Sequence, residues 1–289
     1  MPLIGKRILL RALEYRDLEP IQAAYTDFDM ALMTDGDAPP LSDRQVRSFW
    51  EQRIDSPAPE MRYFVIEPLP GQPFAGKFAG LCNLHDIDWR NRHAELALWL
   101  ASRAMRGQGF GTDAIQTLLP YAFEVTRLDK VHLGVYNFNE SAIRAYERVG
   151  FRYEGQLRQQ IYYEGRYWDE WPMRILRSEW DLIRQLPTDG LRPYHPADQD
   201  SALALIQRLA PTNDTESARA FLRYWRRRID LEVYTFQTLG SICGLGAITI
   251  DRQLVNGTNE RRLIQSLVGE SHRGAFELLL AEQQISVLG

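Results

Sequence analysis

Arg106-Gly107-Gln108-Gly109-Phe110-Gly111-Thr112 is the stretch on which the fold turns. A strand-like run precedes it, Glu95-Leu96-Ala97-Leu98-Trp99-Leu100. A helix-like run follows over 113–123, with apolar residues at 114, 115, 118, 119 and 122. Strand, glycine-rich turn and helix together can bind an anion. The glycines let backbone approach a phosphate, the first helical N–H groups point at it, and the helix dipole and Arg106 add positive charge. The same glycines also fit an ordinary tight turn. Two phosphate motifs do not match. The spacing of Gly107, Gly109 and Gly111 brings the third glycine one residue early for a dinucleotide fingerprint, and Gly111-Thr112 lacks the lysine of a P-loop.

Working outward, 7–11 reads as a strand and Asp17 begins a helix with Leu18, Ile21, Ala24 and Tyr25 at helical spacing. Ser42 caps a second helix, with Val46, Phe49, Trp50 and Ile54 expected on one buried face. Strands are expected at 63–66, 76–84, 95–100 and 130–136. Asn139 caps a helix over 140–149, which Gly150 ends. A short strand over 151–155 and a hairpin, 161–163 with 167–168, follow. The order is β-α-α-β-β-β-α-β-α-β-β.

Two motifs in this order resemble the GNAT superfamily of N-acetyltransferases. Arg106, Gly109 and Gly111 fill the fixed positions of its acetyl-CoA signature, Arg/Gln-x-x-Gly-x-Gly/Ala. Residues 137–151, with Asn139, Ala142, Tyr146 and Gly150-Phe151, are similar to its late motif. The resemblance runs from 7 to about 177. Its tail is similar to the ribosomal-protein N-terminal and the spermidine/spermine N-acetyltransferases. It implies an α/β (α+β) fold, a mixed and mostly antiparallel central sheet flanked by helices, forming a catalytic domain over 1–183. It also implies acetyl-CoA as co-substrate, held by Arg106, Gly107, Gln108, Gly109, Phe110, Gly111 and Thr112. The strand residues Leu98, Trp99 and Leu100 would pair with the pantetheine arm and offer a backbone N–H to the thioester carbonyl. Asn137, Asn139 and Ser141 are further candidate contacts, although a helix cap is a sufficient role for Asn139.

Acetyl transfer to an amine requires a base, because an alkyl ammonium cannot attack. Glu95, in an otherwise apolar strand, is the candidate; a solvated strand-end carboxylate is the alternative. Tyr146 is the candidate acid for the departing thiolate, since a phenol and a thiol hold their protons with similar strength. It also shares a helix face with Ala142, Ile143 and Val149, which suits a core aromatic. For the acceptor, Asp35, Asp37, Asp86 and Asp88 could attract a cation, and Tyr162, Tyr163, Trp168 and Asp169 could wall its pocket. The acceptor is expected to be a small-molecule amine or a protein N-terminus. The competing function is a non-catalytic acyl-CoA-binding or interaction protein.

Composition narrows the rest. The 289 residues are 45% apolar and 25% charged with a net charge of −4, which suits a globular protein without general attraction to nucleic acid or membrane. No apolar run reaches a membrane-spanning length and the first residues show no secretion pattern. Cys82 and Cys243 are the only cysteines, so a reducing cytoplasm is expected. The five histidines show no metal-site spacing, and no metal is expected.

After a linker over 184–190 the opening pattern returns. Leu10-Arg11…Asp17 matches Leu191-Arg192…Asp198 at a constant offset, and 244–250 is similar to 80–84. Residues 190–289 are therefore expected to form a smaller, degenerate, partial GNAT-like domain; an unrelated α+β module is the alternative. Arg273-Gly274-Ala275-Phe276 begins like the signature, but Phe276 stands where Gly109 would be, and no room remains for late strands. The unfinished sheet would leave an edge that a homodimer could cover.

Overall fold

The structure, a computed structural model, describes residues 2–25, 41–184, 190–194, 198–209, 215–227, 231–238, 241–255, 258–268, 273, 276 and 285–287. Asp35, Asp37 and Gly274 lie outside these residues. Contacts group the chain into two units, Met1–Val149 with Gln156–Arg177, and Gly150–Gly155 with Ser178–Gly289. The limit expected at 183 thus falls a little way into the second unit.

In the first unit a hairpin of β1 (Leu3–Ile4) and β2 (Ile8–Arg11) leads into α1 (Leu18–Tyr25) and α2 (Asp43–Asp55). Strands β3 (Arg62–Pro68), β4 (Gly80–Asp88) and β5 (His93–Leu100) follow, then α3 (Phe110–Pro120), whose end widens into a π turn over Tyr121–Val125. After β6 (Lys130–Tyr136) come α4 (Glu140–Val149), β8 (Leu157–Tyr163) and β9 (Arg166–Leu176); the intervening β7 (Arg152–Tyr153) is counted with the second unit. The sheet order is β1-β2-β3-β4-β5-β6-β9, with β8 beside β9. All pairs are antiparallel except β5–β6, as a mixed and mostly antiparallel sheet requires.

The local chemistry explains these elements. Ser42 accepts from the Gln45 N–H while the Gln45 side chain accepts from the Ser42 N–H, a reciprocal cap that starts α2. Val46 and Trp50 of that helix are buried with Leu18, Ile21, Ala24, Val65, Leu81 and Trp99. Phe49, expected beside them, is 42% exposed; it lies under the Arg53 guanidinium, whose carbon is 3.2 Å from the ring centre. The helix expected from Asp17 forms, one residue on, at Leu18. Asp17 closes a short turn ahead of α1 and is held bidentately by Arg11, at 2.7 Å for both contacts, while also accepting from the Glu14 N–H. Its side chain is 2% exposed. Arg11 also binds Glu67, at 2.6 Å, and keeps that partner when Asp17 is removed. Asp17→Ala therefore loses the charge-assisted bonds without stranding the guanidinium and is expected to lower unfolding stability by about 1.5–3 kcal/mol, read by urea denaturation. A loss under about 1 kcal/mol would contradict this account of the α1 entry.

After α5 (Arg177–Arg184), the second unit comprises β10 (Gly190–Pro193), α6 (Gln199–Leu209), α7 (Thr215–Arg227), β11 (Leu231–Thr238), β12 (Ser241–Val255), β13 (Thr258–Val268) and β14 (Ile285–Val287). The order β10-β11-β12-β13-β14 is antiparallel until β13–β14, which is parallel. Leu203, Leu205, Ile206, Leu222, Trp225 and Val233 form its core. One expectation is corrected: a late strand does form, since β14 adds to β13 in parallel as β6 adds to β5. Three residues suffice for it, fewer than the sequence reading allowed. Among the described residues no helix is long and apolar enough to cross a membrane.

Candidate active site

β5 and β6 run together only at their beginnings. His93, Ala94 and Glu95 pair with Lys130, Val131 and His132. Beyond that point β5 continues on β4 as far as Leu100, and β6 continues on β9 as far as Tyr136, without pairing to each other. The sheet therefore opens as a wedge. β4 bulges between His85 and Asp88, with Asp86 at φ 49°, beside the point of parting. Bulges increase strand twist. The inner edges of 96–100 and 133–136 are main chain that an extended ligand could pair with.

The glycine-rich turn lies at the end of β5. Gly109 is the N-cap of α3 at φ 83°, ψ 0°, a left-handed conformation that a side chain would strain. The helix thus begins at Phe110, earlier than the sequence pattern suggests. The first helical bond is from the Asp113 N–H to the Gly109 carbonyl, at 3.0 Å. The N–H groups of Phe110, Gly111 and Thr112 therefore stand ahead of the helical ladder. Phe110 itself is fully buried, so this member of the turn contributes backbone and an anchor, not a ligand-facing ring. A Cβ on Gly111 would lie 3.4 Å from Leu98 Cδ2, which places the helix start against β5.

Side chains alternate across a strand, and this divides the site into two faces. Trp99 packs with α1 and α2, so its ring belongs to the core. Leu98 lies on the other face, toward α3, and pairs with Cys82 on β4. Tyr146 of α4 is 8% exposed, and burial together with the nearby Cys82 raises its phenol well above the ordinary value. Burial also pushes the Cys82 thiol up. Tyr146 thus keeps its proton, as a core aromatic or a hydrogen-bond donor to a departing thiolate would.

Glu95 alternates with Leu98 onto the α1–α2 face. It is half-buried, cross-strand from His85 on β4 and His132 on β6. Glu170 of β9 lies over Gly134, where a Cβ would collide with its carboxylate. Burial and the Glu95 carboxylate raise the Glu170 carboxyl above its usual range. Beyond it, Tyr136 and Tyr163 stack on Phe138, 5.6 and 5.0 Å between ring centres, and Trp168 meets Phe138 edge-to-face at 5.1 Å.

Residues 7–152 match the acetyltransferase (GNAT) domain model, which spans half of the chain. The chain belongs to the GNAT acetyltransferase family. It is similar to the putative ribosomal N-acetyltransferase YdaF of Bacillus subtilis, 34% identical over 111 residues, covering 38% of this chain and 60% of that protein. It is also similar to the spermidine N(1)-acetyltransferase of Escherichia coli K12, 33% identical over 130 residues, covering 45% and 66% respectively. The matched stretch is under two thirds of the length of either relative. The spermidine N-acetyltransferase of Vibrio cholerae, solved with CoA and spermine, resembles the fold with a TM-score of 0.53 and 29% identity, covering 60% of this chain and 97% of that one.

The remaining candidates in this GNAT protein divide by what they already hold. Asn139 Oδ1 accepts from the Ala142 N–H at 3.2 Å and from Ser141 Oγ at 3.1 Å, so both residues serve the α4 cap. Asn137 Oδ1 is buried without a hydrogen-bond partner among the described residues, as a ligand-binding acceptor would be. Asp88 is held by Asn91, and Asp169 by Gln156 and the Gln159 N–H; both carboxyls are lowered by those bonds and serve local turns. Tyr162 is 61% exposed, away from the ring stack. Sequence spacing missed His85, which faces Glu95 across β4 and β5, and Glu170, which stands opposite Tyr136 on β9 and feels Glu95 as a nearby charge. His85, Asp86 and Glu95 bring ligand atoms within 4.8 Å of one another, a grouping able to hold a divalent cation that no helical spacing would show.

Proposed function

We propose that this GNAT protein transfers the acetyl group of acetyl-CoA to a primary amine by direct attack in a ternary complex. The observation that carries the reading is the wedge between β5 and β6, with the glycine turn at its end. The turn and Arg106 would hold the pyrophosphate, and the free edge at Leu98–Leu100 would pair with pantetheine. A main-chain N–H of that edge would stabilise the tetrahedral oxyanion. The thioester comes from the α3–α4 face and the amine from the face of Glu95. Glu95, directly or through water, takes the ammonium proton; the amine nitrogen bonds to the carbonyl carbon; the C–S bond breaks. Tyr146 hydrogen-bonds the departing thiolate, which leaves as the thiol by taking up, through water, the second proton that the amine nitrogen sheds as the amide forms.

Glu95, Glu170 and the aromatic stack suit a cationic acceptor, either a small amine or a protein N-terminus. Initial velocities with both substrates varied test direct attack. Intersecting lines are expected; parallel lines with an isolable acetyl-enzyme would contradict it. Glu95→Gln is expected to depress the rate most at the acid end of the pH profile, where the amine is most fully protonated. A profile parallel to that of the unmodified protein would remove Glu95 as base.

The second unit is a GNAT-like half-domain in this proposal. Its element order and its parallel last pair repeat those of 8–136, and Asp198 is buried as Asp17 is. Arg273 and Phe276 are both helical, and the Phe276 ring packs on Phe236, 5.8 Å between centres. Phe276 therefore resembles the buried anchor Phe110 rather than a ring placed over a phosphate. A buried, unpaired Cys82 suits the reducing cytoplasm.

A further inference from the structure

We infer that Arg7 is a second phosphate-binding cation of the acetyl-CoA turn, acting beside Arg106 on the CoA pyrophosphate; this rests on the acetyl-CoA reading above. Arg7 is about a hundred positions upstream of the turn and belongs to no local signature. The fold brings it there through Asp113. That carboxylate, in the first turn of α3, accepts from the main-chain N–H groups of Lys6 at 3.1 Å, Arg7 at 2.6 Å and Ile8 at 3.1 Å. The β1–β2 corner is thereby pinned onto the helix start. Gly5 permits the approach, since a Cβ there would stand 2.5 Å from Thr117 Oγ1 and 2.6 Å from Asp113 Oδ2.

The Arg7 side chain then runs along the helix cap. A Cβ built on Gly109 would lie 3.5 Å from Arg7 Cδ and Nε and 4.0 Å from its Cζ. Arg7 is exposed, and its side-chain bond among the described residues is a long one, Nη1 to Gln72 Oε1 at 3.3 Å. The Asp113 carboxylate is engaged with three N–H groups, so it is not spent on the guanidinium. A planar guanidinium beside the leading N–H groups of a helix matches two oxygens of a phosphate. A bare Cβ at Gly109 would stand in ordinary contact with Arg7, whereas a large side chain there would displace it.

Arg7→Gln tests this, with CoA binding read by calorimetry. A roughly ten- to hundred-fold weaker dissociation constant is expected, the scale of a charge-assisted hydrogen bond, with Arg7→Lys intermediate. Acetyl-dephospho-CoA, which keeps the pyrophosphate but lacks the 3′-phosphate, should show the same loss. The phosphate-free thioester S-acetyl-N-acetylcysteamine separates binding from structure: its kcat/KM should be insensitive to Arg7→Gln. A folded Arg7→Gln chain that binds CoA within twofold of the unmodified protein would overturn the inference. So would a loss that vanishes with the dephospho substrate, or one of equal size with the phosphate-free thioester. An unmodified chain that binds no acetyl-CoA would overturn the acetyl-CoA reading itself.

Discussion

Tyr146→Phe lowers turnover by about 10²–10³-fold, the loss expected when one placed hydrogen-bond donor to a developing anion is removed, and leaves the dissociation constant for acetyl-CoA nearly unchanged. The ring is buried in α4 with Ile143 and Val149, so phenylalanine keeps the packing. Only the hydroxyl is lost. Burial holds the phenol protonated, so the group arrives at the reaction as a donor. The developing thiolate then has a hydrogen bond in the transition state that the neutral thioester sulfur uses little, which is why the loss falls on the rate and not on binding. Steady-state kinetics and calorimetry on the same preparation check this. Turnover equal to that of the unmodified protein would leave Tyr146 as a core aromatic.

Gly109→Trp is the second large effect: acetyl-CoA binding falls below detection while the fold survives. Gly109 sits at φ 83°, where a non-glycine residue costs roughly 1–2 kcal/mol. That is a fraction of the ~5–15 kcal/mol by which a domain is ordinarily stable. The ring leaves the backbone toward Arg7 rather than straight into the phosphate position, contrary to the simplest reading of the signature. It must displace that side chain and cover the N–H groups of Phe110, Gly111 and Thr112. Circular dichroism should show an intact fold and calorimetry no heat of binding. Unchanged affinity in a folded variant would remove the turn as the phosphate site.

The parts legible in the sequence were those set by neighbours along the chain. The glycine turn, the Asn139 and Ser42 caps and the hairpin at Glu164-Gly165 depend on local dihedrals and short-range hydrogen bonds. Both hairpin residues have positive φ, and Tyr163 pairs with Arg166 across them. Periodicity alone misplaced Phe49, because Arg53 covers it on the surface instead of the core receiving it. What spacing could not give was register. The wedge exists because the β5–β6 pairing stops after Glu95 and His132, a property of no single segment. His85 faces Glu95 by cross-strand register, Glu170 is brought near by the pairing of β9 with β6, and Arg7 reaches Gly109 because a buried aspartate in a distant helix holds three consecutive N–H groups. β14 was missed because a strand of three residues carries too little pattern.

The most direct test of acetyl transfer is to incubate the full chain with acetyl-CoA and a panel of primary amines, diamines, polyamines and basic N-terminal peptides. Thiol release is followed, and the products are weighed by mass spectrometry. The account predicts CoA released in step with one acetyl group gained by at least one amine, with both signals lost in Gly109→Trp. Acetyl-CoA bound with neither thiol release nor an acetylated amine across the panel would contradict it.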